Sequence, residues 1–136
     1  MNNLKTTRQR GFTMMELLIV IVILGLMASL VAPKFFDKLG KAERGIVVSQ
    51  MAAFETALDT YRLDVGSYPQ TLEELRASDS PRWDGPYLPK AIPKDPWGNE
   101  YVYKLPGDDG KPYTLRSLGA DGKVGGEDSN ADIDHN

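Results

Sequence analysis

Arg10-Gly11-Phe12-Thr13-Met14-Met15-Glu16-Leu17 opens directly into Leu18-Ile19-Val20-Ile21-Val22-Ile23-Leu24, and this junction decides the fold. Upstream of it, Lys5, Arg8 and Arg10 stand without an acid. Downstream, the 21 residues from Phe12 to Ala32 carry one charge, Glu16. About 20 apolar residues cross the hydrocarbon core of a bilayer as a helix, so Phe12 to Ala32 predicts a membrane-spanning helix. The cationic flank stays cytoplasmic and the C-terminal part goes outside. Two plainer readings compete with a specialised one. A cleaved signal peptide is opposed by the length of the run and by the lack of a small-x-small cut site, because Leu30 stands at the −3 position of Ala32 and Pro33 follows. A simple anchor does not account for Glu16. A carboxylate inside an apolar span is costly unless paired, which marks it as functional.

A cut after Gly11 would place the new α-amino group of Phe12 one helical turn from Glu16, in the same subunit or in a neighbour. The segment from Arg10 to Leu17 resembles the type IV prepilin cleavage and methylation motif: basic leader, Gly, Phe, Thr, then Glu at the fifth place of the mature chain. The resemblance implies that a prepilin peptidase cuts after Gly11 and methylates the nitrogen of Phe12. It also implies that Glu16, with Phe12, serves subunit assembly.

The rest of the chain bounds the chemistry. There is no cysteine, which excludes disulfides, a thiol nucleophile and thiolate-bound zinc. The one histidine is His135, a poor basis for a triad or an imidazole metal site. From Asp64 onward there are 14 Asp and Glu against 8 Lys and Arg. An acidic head of this kind argues against a nucleic-acid footprint, which needs a basic patch.

After the span, Pro33 predicts a helix break, and Gly40 and Gly45 weaken the turns that follow. The stretch is open to being helical, kinked or extended, as a hinge or as a segment that melts on packing. Val47, Met51, Phe54, Leu58 and Tyr61 recur at helical spacing and predict an amphipathic helix packed on a sheet. Gln50, Glu55, Asp59 and Arg62 lie on its other face, either solvated or in ion pairs between subunits. Gly66 and Pro69 end that helix, and Thr71 with Glu74 predicts a capping box on a short helix. Residues 79–98 read as an ordered loop pinned by Trp83, Tyr87 and Trp97. Tyr101–Leu105 and Tyr113–Ser117 read as strands joined by a Pro- and Gly-rich turn.

Leu118 to Ile133 is rich in glycine and carboxylates. A solvated acidic tail and a loop for a hard cation such as Ca2+ both fit that composition, although the spacing is not that of an EF-hand. Here the resemblance widens. Lys94-Asp95-Pro96-Trp97-Gly98-Asn99, Tyr101, Ser117-Leu118-Gly119-Ala120-Asp121-Gly122 and Gly125-Gly126 are similar to the major pseudopilin family of type II secretion systems. That likeness implies a calcium site in the loop, with side chains from Asp121 and Asp128 and carbonyl or hydroxyl oxygens from Leu118, Val124 and Ser129.

The expected fold class is α+β: a long hydrophobic, then amphipathic helix on a small head with a short antiparallel sheet and a C-terminal calcium-binding loop. The expected division is a leader over 1–11, a transmembrane and filament-core helix over 12–33, and a periplasmic head over 34–136. Within the head, the amphipathic helix covers about 41–64, a loop 65–99, the hairpin 100–117 and the calcium loop 118–133. The function implied by the resemblance is that of a structural, non-enzymatic subunit. It would be held in the bacterial inner membrane and then added to a periplasmic filament that drives folded proteins across the outer membrane. Its partners would be its own copies, minor pseudopilins, the prepilin peptidase, the inner-membrane assembly platform and, before assembly, lipid. A surface pilus subunit is the alternative, and an enzyme on an anchor a third, for which no His, Cys or Ser motif organises the carboxylates.

Overall fold

In the computed structural model, residues 11–135 are described, so the leader apart from Gly11 lies outside the described residues. Helix α1 runs Met14–Val65. A reciprocal cap fixes its start. Glu16 N donates to Thr13 Oγ1 at 3.1 Å, and Thr13 N donates to Glu16 Oε2 at 3.1 Å. This Thr-x-x-Glu box satisfies two N–H groups that the first helical turn leaves without partners. The expected break at Pro33 is not found, since α1 continues through it. The proline withholds one N–H from the ladder, but long apolar and amphipathic runs on either side carry the helix on, so the loss stays local.

The chain divides into two compact units, up to Lys38 and from Leu39. In the first, the large apolar side chains of α1 are all exposed, including Phe35 and Phe36, which meet edge to face with centroids 5.9 Å apart. In the second, the stripe Val47, Met51, Phe54, Leu58 and Tyr61 is buried, together with Ala57. It packs in one cluster with Leu72, Leu75, Leu88, Tyr101, Leu115 and Ile133. Burying each of the larger side chains stabilises the fold by about 1.5–3 kcal/mol.

The sheet has three antiparallel strands in the order β1 (Val102–Lys104), β2 (Thr114–Ser117), β3 (Ile133–Asp134). Tyr103 faces Leu115 across β1 and β2, and Ser117 faces Ile133 across β2 and β3. The first two strands meet expectation, and the third is additional. In the connection between β1 and β2, Asp108 N donates to Thr114 Oγ1 at 2.8 Å and Lys104 Nζ to Asp108 Oδ1 at 2.5 Å. Gly107 is required there, because a Cβ would lie 2.5 Å from the Tyr113 carbonyl carbon.

Two local expectations are corrected. Thr71 makes no side-chain cap, and Leu72–Leu75 is a 3-10 turn. The carboxylate of Glu74 is engaged elsewhere, accepting from Gln70 N at 3.2 Å and from the Tyr61 hydroxyl at 2.8 Å. The polar face of α1 is not simply solvated, because part of it bonds within the head. Tyr101 donates to Gln50, Tyr68 donates to Asp59 at 2.9 Å, and Arg62 lies over the Tyr68 ring.

Candidate functional site

At the N-terminal end, Gly11 and Phe12 precede α1, and Phe12 is 89% exposed. Glu16 is also exposed, and its carboxylate is held by the backbone N–H of Thr13. The three expected processing and assembly residues therefore stand together at an open helix start. Thr13 joins them through the cap, a role signalled in the sequence by the Thr-x-x-Glu spacing ahead of an apolar run.

The second candidate region is the acidic loop. Asp121 and Asp128 are both exposed. Asp121 Oδ1 accepts from Lys123 N at 3.0 Å, in a local turn. Asp128 has a φ of 52°, a left-handed conformation unusual for a residue with a side chain. Ser129 O accepts from Ala120 N at 2.9 Å, which draws the two arms of the loop together. Among the described residues the carbonyls of Leu118 and Val124 accept no hydrogen bond. The arms approach so closely that glycine is obligatory: a Cβ at Gly119 would lie 2.7 Å, and one at Gly126 2.5 Å, from Asn130 O.

Asp132, not singled out from the sequence, is a further carboxylate of the loop, after Asp121, Glu127 and Asp128. Its Oδ2 accepts from Gly125 N at 3.1 Å, while its Oδ1 is buried without a partner. Its neighbour Ile133 is the one large apolar residue after Val124, and burying Ile133 in the core draws Asp132 inward.

A polar network underpins the loop. Asp95 is buried at 4% exposure and accepts from Ser117 Oγ at 2.9 Å, Trp97 N at 3.1 Å and Asn99 N at 2.8 Å. Asn99 Nδ2 donates to Gly119 O at 3.0 Å, and Trp97 Nε1 donates to Glu43 Oε2 at 3.0 Å. Arg44 Nη1 donates at 3.3 Å to the carbonyls of Asp128 and Ala131. Nearby, burial pushes the Tyr101 hydroxyl up to about 12, with the negative charge of Asp95 adding to the shift. Burial likewise raises Tyr113 to about 12, helped by Glu55 and Asp59, and raises Tyr103 further. His135 Nε2 is buried and lies 3.2 Å from Glu55 Oε2, within ion-pair range, without a hydrogen bond among the described residues.

The donor chemistry suits a hard cation. The loop offers oxygen donors in plenty: the exposed carboxylates of Asp121, Glu127 and Asp128, the Asp132 Oδ1 and the unpaired carbonyls of Leu118 and Val124, with the exposed Lys123 as its one cationic side chain. Among the described residues no group of three or more His, Cys, Asp or Glu side chains converges on one point. A cation would therefore need main-chain oxygens as well as carboxylates, a mixture Ca2+ accepts.

The family description "Type II secretion system (T2SS), protein G" matches residues 34–136, and the prokaryotic N-terminal methylation motif matches residues 6–32. The type II secretion system core protein G of Vibrio cholerae is 44% identical over 137 residues, covering 95% of this chain and 92% of that protein. The core protein G of Pseudomonas aeruginosa is 42% identical, with 93% and 94% covered. The crystal structure of the major pseudopilin from the type 2 secretion system of enterohaemorrhagic Escherichia coli superposes with a TM-score of 0.56 at 36% identity. That match covers 69% of this chain and 86% of the other. With a capped apolar helix at one end and a small three-stranded head built on the same helix, the chain belongs to the type II secretion system protein G family.

Proposed function

We propose that this chain is the major structural subunit of a type II secretion pseudopilus, with no catalytic role of its own. It is held in the bacterial inner membrane by the apolar part of α1, with the head in the periplasm. After cleavage behind Gly11 and N-methylation of Phe12, it leaves the bilayer and joins a helical filament of its own copies. Filament growth then drives folded proteins across the outer membrane. The prepilin peptidase, minor pseudopilins and the inner-membrane assembly platform are the partners of that cycle. The carrying observation is that the apolar span of α1 is wholly unburied within the chain. Apolar area of that extent needs lipid or identical helices around it. A surface pilus is not favoured, because the likeness to protein G extends through the head.

Glu16 would exchange its capping contact with Thr13 for the Phe12 amine of a neighbouring subunit, setting register between helices. Asp121 and Asp128 would hold Ca2+ with the carbonyls of Leu118 and Val124 and an oxygen of Ser129, and Asp132 Oδ1 is a further donor. A bound Ca2+ supplies neutralisation and a cross-link among these oxygens, so that loop order and head stability become linked to metal. The test is subunit abundance and secretion in cells carrying Asp121→Ala with Asp128→Ala, and in wild-type cells given a chelator. Both quantities should fall under either perturbation. Normal abundance and secretion in the double variant would remove the calcium part. Polymerisation of a Glu16→Ala subunit at wild-type level would remove the assembly part.

A further inference from the structure

Building on the reading of residues 118–133 as a cation-binding loop, we propose that Arg44 is a positioning residue that joins this loop to helix α1. Through it, cation binding and ordering of the α1 turns around Gly40 and Gly45 become one event. The guanidinium reaches two carbonyls, those of Asp128 and Ala131, that bracket the 3-10 turn Asp128–Asn130. Arginine only donates and stays charged at any accessible pH, so it fixes both carbonyl dipoles toward α1. The carboxylate of Asp128 is then left exposed and free of hydrogen bonds among the described residues. The left-handed backbone of Asp128 costs free energy that surrounding contacts must offset, and the Arg44 contacts lie immediately beside it.

Glu43, the preceding helix residue, holds the other arm. It accepts from Trp97, and two residues on from Trp97 the side chain of Asn99 grips Gly119 O. Two consecutive positions of α1 thus secure both arms of a loop that has little apolar content of its own. They stand between Gly40 and Gly45, the weakest positions of the helix in this unit. Whatever orders the loop therefore also orders these turns.

Two effects of Arg44 on a cation oppose each other. Its charge repels the ion, and its hydrogen bonds preorganise the loop. Because it binds carbonyls and not the carboxylates, preorganisation dominates. Loss of such a supporting contact lowers metal affinity roughly tenfold or more.

The test uses the full chain in detergent micelles, with Ca2+ as the probe, read by calorimetry and by hydrogen exchange with and without chelator. In the wild type, Ca2+ should protect amides in both 118–133 and 40–47. Arg44→Ala should bind about tenfold more weakly and lose the 40–47 response while keeping protection in the helix from Met51 to Tyr61. Arg44→Lys, which keeps the charge on a shorter side chain, should restore part of both, and Lys41→Ala should change neither. If Ca2+ binds and protects the loop but residues 40–47 never respond, or if Arg44→Ala binds as tightly as wild type, the coupling is overturned while the cation site stands. If Ca2+ alters no amide and releases no heat, the cation reading falls and the coupling with it.

Discussion

Glu16 can do two things that one substitution separates. As a cap, its carboxylate needs only to accept a hydrogen bond from Thr13 N, which an amide also does. As a partner for the Phe12 amine it needs its charge. Glu16→Gln should leave the helix start and membrane insertion intact and abolish filament assembly, scored by cross-linking of assembled subunits. Assembly at wild-type level in Glu16→Gln would make capping the whole of its role. The head tyrosines give a second prediction at this scale. Tyr101 and Tyr113 are raised to about 12 from an ordinary value of 10.0. Below pH 10 both states keep these protons, and the tyrosines contribute no pH dependence. Between about 10 and 12 the unfolded chain releases protons that the folded head retains, so stability falls as pH rises. The thermal midpoint of the head should therefore drop across that interval, and Tyr101→Phe should lessen the drop. An unchanged midpoint up to pH 12 would contradict the burial argument.

Among the elements, α1 was the most legible, because its signals are local. The run from Phe12 to Ala32 and the apolar stripe from Val47 to Tyr61 are each set by spacing within one helix. The capping boxes show the limit of local signals. Thr13 with Glu16 and Thr71 with Glu74 share one pattern, yet only the first forms, because Tyr61 and Gln70 offer Glu74 competing bonds. β1 and β2 could be read from alternating β-formers, whereas β3 has two residues and exists only by pairing with β2. The oxygen chemistry of the acidic loop was equally visible in its composition. The contacts of Arg44 were not, since they join positions 84 and 87 residues apart and leave no local pattern. One prediction belongs to α1. A Cβ at Gly45 meets no atom within 4 Å, so Gly45→Ala should stabilise the head by about 1 kcal/mol. Calorimetry should show a midpoint several degrees higher, and a lower one would mean that the helix is strained at this position.

For the whole molecule, one helix both supplies the exposed apolar surface of the first unit and forms one wall of the head's core. Phe54, buried at 1% exposure against Tyr101 at a centroid distance of 5.1 Å, is central to that wall. Phe54→Ala should cost about 3–5 kcal/mol, enough to deplete folded subunits without touching the membrane segment. Immunoblots should show less subunit, and the remainder should still fractionate with the membrane. Soluble remainder would mean that the head, too, governs anchoring. Trp97 has a practical consequence of a different sort. Its indole touches Glu43, and its loop grips Gly119 through Asn99, while Trp83 bonds to Glu74 O in another part of the head. The subunit therefore carries a built-in fluorophore beside its acidic loop and a second one that a single substitution removes. In a Trp83→Phe background, ultraviolet emission alone could follow the loop's closure in unlabelled protein, in micelles or in fibres.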